Sequence, residues 1–241
     1  MTKSRIIVTG SSSGIGRAIA LQLLQSNYQV IGISRYQQHE PLEHNNFNAV
    51  PMDLSDIDAL PKKLSALVEQ YPDVQGIVFA AGRGQFGSLE EFSYAQIKTL
   101  IELNLVSQAY LAKAYLPLFK KRGTGHLIFI GSEAALKGSR KGAIYCATKF
   151  ALRGLAQALR DECSRSNVRV TLVNPGMVNT AFYDELDFEP GRDPENFLLP
   201  EDVAHSIDYI LSTRAVLSVD EINLSPLKNV VRSRKIITDN Q

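Results

Sequence analysis

A doubly wound α/β fold, with one parallel β-sheet and helices on both faces, is predicted by three features of this sequence. Short apolar runs alternate with amphipathic segments of ten or more residues, which implies repeated βαβ units and right-handed crossovers. Several runs, such as Ile6-Ile7-Val8 and Leu127-Ile128-Phe129-Ile130, are apolar without interruption, as expected when both faces of a sheet are covered. A glycine-rich turn, Thr9-Gly10-Ser11-Ser12-Ser13-Gly14-Ile15-Gly16, joins the first run to the first amphipathic segment. That is where a Rossmann-type sheet receives a dinucleotide. The 241 residues suffice for one large core, and no linker or internal repeat divides them, so 1–241 reads as a single domain. Its cofactor half covers about 1–125 and its catalytic and substrate half about 126–241.

Each element follows from its periodicity. Arg5–Thr9 reads as a buried strand, and Ile15–Gln25 as a helix with Ile15, Ile19, Leu23 and Leu24 apolar. Gln29–Ile33 is a second strand and Ala49–Met52 a short third one. Asp53-Leu54-Ser55 caps a helix from about Ile57 to Glu69, with Leu60, Leu64, Leu67 and Val68 turned inward. Gly76–Phe79 is the fourth strand, followed by one long helical stretch from Tyr94 to Lys120. Leu127–Ile130 is the fifth strand, a helix carrying Tyr145 and Lys149 runs to Cys163, and Val168–Val173 is the sixth strand. Beyond Pro175 the periodicity fades, and residues 177–199 read as a lid or an irregular loop. Pro200-Glu201-Asp202 opens a helix to about Leu211, and Glu221–Leu224 is the last strand. The basic tail from Lys228 to Gln241 reads as solvated or packed on a partner.

Composition removes several functional classes. A net charge of +1 with 21% charged residues gives no general electrostatic grip on nucleic acid or acidic membranes. Cys146 and Cys163 are too few for a disulfide framework and lack metal-ligand spacing, so no metal site is expected. Cys146 is open to two readings, a reactive thiol or a small packing residue. His39, His44, His126 and His205 share no motif, and no serine sits in a nucleophile elbow, which argues against a hydrolase. No signal-peptide core is visible, and no apolar run approaches the ~20 residues of a membrane span, so a cytoplasmic location is expected.

The chemistry starts at the glycine turn. Gly10, Gly14 and Gly16 allow a pyrophosphate close to the backbone, while Ser12, Ser13 and Ile15 lead into a helix amino terminus with unpaired N–H groups. The end of the second strand meets the adenosine ribose in such sheets. A carboxylate there favours the free diol; this chain instead has Ser34 and Arg35. A hydroxyl and a guanidinium suit a 2′-phosphate, so NADP(H) is expected over NAD(H), unless Arg35 simply projects into water. Asp53, next to Leu54, either accepts a hydrogen bond from the adenine amino group or caps the following helix. Ala80-Ala81-Gly82 leaves room for the adenosine half, or for close helix–sheet packing. Tyr145 and Lys149, four apart on a helix, lie on one face about 6 Å from each other, with Ser132 thirteen positions upstream. A cation fixed beside a phenol lowers its pKa from ~10 toward the range useful for acid–base catalysis.

With these residues in place, the chain resembles the short-chain dehydrogenase/reductase family, essentially to Leu224. The matches are Thr9-Gly10-x-x-x-Gly14-x-Gly16, Asp53, Ala81-Gly82, Asn104, Ser132, Tyr145-x-x-x-Lys149 and Asn174-Pro175-Gly176 with Thr180. The resemblance implies hydride transfer between a nicotinamide and a small-molecule carbonyl/alcohol pair. It casts Tyr145 as general acid, Ser132 as a second hydrogen-bond partner of the substrate oxygen, and Lys149 as a ribose ligand that lowers the tyrosine pKa. Asn104 would hold a relay water, Pro175 and Gly176 would shape the nicotinamide pocket, and Val178 and Thr180 would meet the carboxamide. Similar proteins form homodimers or homotetramers through the helices that carry Asn104 and Tyr145.

Four positions depart from the family. Phe79-Ala80 replaces a frequent Asn-Asn, Gly131 replaces a frequent serine, and Glu133 follows Ser132. Glu133 either points into the substrate pocket, favouring a cationic or hydroxyl-rich substrate, or is solvated. Phe182, Tyr183, Leu186 and Phe188 would cover an apolar or aromatic carbonyl. The acidic Asp184, Glu185, Asp187, Glu189, Asp193 and Glu195 argue against a strongly anionic substrate. Two other functions share parts of this pattern. A cofactor-sensing regulator would need neither Tyr145 nor Lys149. A sugar-nucleotide epimerase or dehydratase usually has more than the roughly sixty residues that follow Pro175 here.

Overall fold

Burial from both sides explains the uninterrupted apolar strands. The computed structural model describes residues 4–35 and 42–234; residues 1–3, His39 and the tail from Lys235 onward lie outside the described residues. The strands are β1 (Arg5–Thr9), β2 (Gln29–Ser34), β3 (Phe47–Pro51), β4 (Gly76–Phe79), β5 (Gly125–Ile130), β6 (Val168–Pro175), β7 (Phe188–Pro190), β8 (Glu221–Leu224) and β9 (Val231–Ser233). Seven of them form one parallel sheet in the order β3-β2-β1-β4-β5-β6-β8. Helices α1 (Gly14–Gln25), α2 (Leu60–Gln70), α3 (Tyr94–Ile101), α4 (Ser107–Arg122), α5 (Ala143–Cys163) and α6 (Pro200–Ser212) connect them. Ile6 and Val8 pack with α1 and α6 on one face, whereas Ile7 packs with α2, α4 and α5 on the other. Alternate side chains of one strand therefore feed two cores, as a two-sided sheet requires.

The structure revises three of the expected segments. Helix α2 starts at Leu60 rather than near Ile57, because Asp56 accepts from the Ala59 N–H at 3.3 Å and holds the preceding residues in a turn. The stretch expected as one helix from Tyr94 to Lys120 is α3, a π-helical turn over Glu102–Val106, and α4. Gly123, in the left-handed region at φ 68°, ends α4. Residues 177–199, expected as a lid or an irregular loop, form an ordered segment. It contains β7, which pairs antiparallel with β9 of the tail, so Val231–Ser233 packs on its own chain.

Ion pairs accompany that pairing. Arg232 meets Glu189 at 3.5 Å, Arg234 meets Asp184 at 3.2 Å, and Lys228 pairs with Glu195. Among the described residues no helix is long and apolar enough to cross a membrane.

Candidate active site

Parallel order sets the ends of β1, β4, β5 and β6 side by side, and four loops leave there. At the first, Gly10 has φ +70°, and a Cβ on it would come 3.0 Å from the Ala81 Cα. The Thr9 hydroxyl accepts from the Ala81 N–H at 3.0 Å, locking the glycine turn to Ala80-Ala81-Gly82. Gly16 is equally constrained, since a Cβ would lie 2.3 Å from the Gly10 carbonyl oxygen. Ser13 begins α1 without a side-chain cap, and the first turn holds no acidic residue. The amino-terminal N–H groups and the positive end of the helix dipole therefore stay available to an anion. A Cβ on Gly14, at φ +51°, would meet only Thr180, at 3.6 Å from its methyl carbon. A glycine cradle, an uncapped helix start and Thr180 opposite form a set that fits a dinucleotide pyrophosphate.

Ser34 ends β2 beside Pro51 of β3, and Arg35 is exposed at the same edge. Burial raises the Asp53 carboxyl, but hydrogen bonds from the Ser55 hydroxyl and amide outweigh it and, with the Arg35 cation, hold it below the usual range. Those bonds measure 2.6 and 2.9 Å, so Asp53 braces the turn ahead of α2. The Leu54 side chain is buried in the core, which leaves its main chain for any ligand contact.

Ser132 follows β5, while Tyr145 and Lys149 sit on the inward face of the first turns of α5, all near one point. The Lys149 Nζ lies 5.8 Å from the centre of the Tyr145 ring and donates to the Ile130 carbonyl at 3.0 Å. The Ser132 Oγ accepts from the Ala134 N–H at 3.1 Å. Burial pushes the Tyr145 phenol up to about 12, the Ser132 hydroxyl hydrogen-bonded to it acts downward, and Cys146 and Glu133 act upward. The expected net lowering by Lys149 is therefore corrected. Its ammonium is directed at Ile130, and burial draws Lys149 itself down to about 8. Cys146 is buried with Leu100, Ala134 and Tyr145, which supports the packing reading.

Asn104 lies in the π-helical turn and is fully buried. Its side chain grips the Arg83 backbone, accepting from N–H at 2.9 Å and donating to the carbonyl at 2.9 Å, with a further bond to the Thr148 hydroxyl at 3.3 Å. A Cβ on Gly82 would sit 3.3 Å from the Asn104 Oδ1 and 3.9 Å from the Lys149 Nζ, so the three share one corner. Gln108, which sequence reasoning missed, donates to the Asn104 carbonyl at 2.9 Å and to the Ala81 carbonyl at 3.3 Å. It braces the strand end where the family often has asparagines. No local pattern marks a helical glutamine for that task.

At the end of β6, Asn174 is buried and accepts from the Ser132 N–H at 3.3 Å. Its amide donates at 2.9 Å to both Glu221 and Asn223 on β8, and Glu221 also pairs with Arg153 of α5 at 3.1 Å. A Cβ on Gly131 would fall 2.1 Å from the Asn174 Oδ1, so any side chain there would have to displace the Asn174 amide. Pro175 closes β6, and the Gly176 N–H donates to Leu224 at 2.7 Å. Val178 is buried in the core beside Leu198, while Thr180 accepts from Phe182 N–H at 3.2 Å.

The lid rings meet the site through Phe86, a second residue that sequence reasoning missed. Phe86 lies 5.0 Å from Tyr145 and 4.9 Å from Phe188, and Phe182 lies 6.0 Å from Tyr145. Most of the lid's acidic charge is paired, Asp193 being the exception among the described residues: besides the tail pairs, Glu185 meets Arg83 at 2.6 Å and Asp187 meets Lys141 at 3.1 Å. Its formal charge therefore gives little argument against an anionic substrate.

Comparison with known proteins agrees with this geometry. A family model described as short chain dehydrogenase matches residues 4–189. An uncharacterized oxidoreductase of Staphylococcus epidermidis is 28% identical over 92% of this chain and 96% of its own. A sepiapterin reductase of Chlorobaculum tepidum is 30% identical over 93% and 96%. An alcohol dehydrogenase of Thermococcus sibiricus, solved with 5-hydroxy-NADP, superposes with a TM-score of 0.80 at 28% identity, covering 92% of this chain and 95% of that one.

The buried lysine generates a stability prediction. Its folded pKa of about 8 lies below the ordinary 10.5, so the unfolded chain binds that proton more tightly. The resulting cost to the folded state is full below pH 8 and is relieved as pH rises toward 10.5. In urea melts, the stability of Lys149→Met relative to the natural protein should therefore fall by about 3 kcal/mol across that interval. A pH-independent difference would show that water solvates the ammonium.

Proposed function

The chain belongs to the short-chain dehydrogenase family, and on that premise we propose that it is an NADP(H)-dependent oxidoreductase interconverting a carbonyl and an alcohol on a small molecule. The observation that carries the reading is the convergence of Ser132, Tyr145 and Lys149 beside Gly82, across the sheet edge from an uncapped, glycine-lined helix start. Gly10, Ser12, Ser13, Gly14, Ile15 and Gly16 would surround the pyrophosphate, and Ser34 and Arg35 the 2′-phosphate. Asp53, Leu54, Ala80, Ala81 and Gly82 would border the adenosine. Asn104, Tyr145 and Lys149 would lie at the second ribose, with Pro175, Gly176, Val178 and Thr180 at the nicotinamide. The bound nicotinamide supplies or accepts hydride at the carbonyl carbon.

The protein's own residues manage the oxygen. A phenol with a pKa of about 12 keeps its proton at neutral pH, so Tyr145 stands ready as a general acid. The Ser132 Oγ accepts from Ala134, and its proton, directed at the Tyr145 phenol in this structure, would turn to a bound substrate oxygen. Two fixed donors stabilise the developing alkoxide more than the neutral carbonyl, which is the condition for lowering a barrier. Lys149 holds a positive charge beneath the phenol, and the wide turn at Asn104 would seat a relay water next to it. A cofactor-sensing regulator would have no need of this donor pair. The epimerase reading is disfavoured, because the relatives that match most of this chain are described as an oxidoreductase and a reductase.

The reading includes a cytoplasmic setting and self-association as a homodimer or homotetramer, with no nucleic acid or membrane partner. An apolar groove between α4 and α5, lined by Ala109, Ala112, Leu116, Pro117, Leu155 and Leu159, supports the self-association.

Tyr145→Phe should lower turnover by about 10²-fold or more while cofactor affinity holds. Retention of over about a tenth of the activity would count against the role. Arg35→Ala should weaken NADPH binding about tenfold and leave NADH nearly unchanged; titration of both cofactors decides it, and equal losses would refute the preference. Leu116→Asp should shift the molecular mass in light scattering to that of a monomer, whereas a monomeric natural protein would remove the assembly proposal.

A further inference from the structure

One carboxylate lies beside the reacting groups and has no ion-pair partner among the described residues. Glu133 follows Ser132 directly and opens the short helical turn Glu133–Ala135. It is half-buried, and its Oε2 would lie 3.3 Å from a Cβ placed on Gly176, in the segment that lines the expected nicotinamide pocket. After burial, its charge is among the influences that raise both the Tyr145 and Tyr183 phenols, which sets it within the site. Among the described residues no lysine, arginine or histidine pairs with it, although Asp184, Glu185, Asp187, Glu189 and Glu195 of the lid all have such partners.

The surroundings favour one kind of ligand group. Phe86, Phe182, Tyr183 and Phe188 pack around Tyr145 with neighbouring ring centres 4.9 to 6.0 Å apart. A carboxylate beside aromatic faces is the chemistry that retains an ammonium, through a charge-assisted hydrogen bond and cation–π attraction. Resting on the oxidoreductase reading above, we propose that Glu133 selects the substrate, and that this substrate is a carbonyl or alcohol bearing a protonated amine near the reacting carbon. The amine changes no bond. In reduction the carbonyl carbon would gain hydride from the nicotinamide while its oxygen takes the Tyr145 proton, oxidation would run the same exchange backward from the Tyr145 phenolate, and in both directions the ammonium stays on Glu133. Burial holds the Glu133 carboxyl above its ordinary range, as a carboxylate lacking a cation should behave, and a bound ammonium would reverse that direction.

The test uses the NADP⁺-saturated protein and three probes that share one carbinol: 1-amino-2-propanol, its neutral isostere 2-butanol, and 1,2-propanediol. Calorimetry should give the amine at least about tenfold tighter binding than either neutral probe. Glu133→Gln should abolish that advantage while changing 2-butanol less than about twofold. Equal affinities in the natural protein, a preference for the diol, or equal weakening of all probes in the variant would overturn the proposal. NADPH formation from the same probes is read separately. Selective amine binding without turnover would sink the oxidoreductase reading and leave the ammonium site standing, whereas turnover without amine selectivity would do the reverse.

Discussion

Side-by-side parallel pairing of β1, β4, β5 and β6 is the constraint on which the site depends. Each strand ends at the same edge, so the glycine turn, Gly82, Ser132 and Gly176 arrive together without any loop having to reach far. Hydrogen bonds then fix the loops to one another: Thr9 to Ala81, Gly131 to Val173, Ser132 to Asn174. That pairing exists because Ile6, Ile7 and Val8 bury on alternating faces against separate helix layers. A sheet with one wet face would have no reason to hold these strands parallel.

Inside this frame the electrostatics are uncomfortable, and the discomfort is chemically useful. Lys149 is buried with a carbonyl as its direct partner, and the Tyr145 phenol is buried against aromatic rings. Both groups are shifted toward their neutral forms, as desolvation dictates. A site arranged for stability alone would place an apolar side chain at position 149. Perturbed groups gathered at one point are instead what acid–base chemistry requires, at some expense in folding stability.

The lid is held by a different kind of force. Its salt bridges to Arg83, Lys141, Lys228, Arg232 and Arg234 are largely solvent-exposed, and such pairs contribute about 0 to 1 kcal/mol each. They orient the lid more than they stabilise it. The apolar weight falls on Phe182, Tyr183, Leu186 and Phe188, which pack with Phe86. Arg83 links the two systems, its backbone held by Asn104 and its side chain by Glu185. Glu133, beside Tyr145, has no ion-pair partner among the described residues and stays outside this network.

Local pattern determined a great deal of this protein. Short apolar runs dictated strands, the three-to-four spacing of leucines dictated the helices behind them, and Tyr145 with Lys149 was bound to share a helix face. The glycine turn was equally legible, because only glycine tolerates its positive φ angles and its close backbone approach. Tertiary structure alone decided the rest. The π-helical turn at Asn104 adds one residue within an otherwise continuous helical stretch, a change too local for periodicity to reveal. Gln108, Asn174 and Phe86 act across 27 to 59 residues of sequence, as in the Gln108–Ala81, Asn174–Ser132 and Phe86–Tyr145 contacts. The antiparallel β7–β9 ribbon joins segments roughly forty residues apart. Periodicity reports which side of an element is buried; the side chain that meets it there, and the charge left unmatched, depend on how distant segments close upon one another.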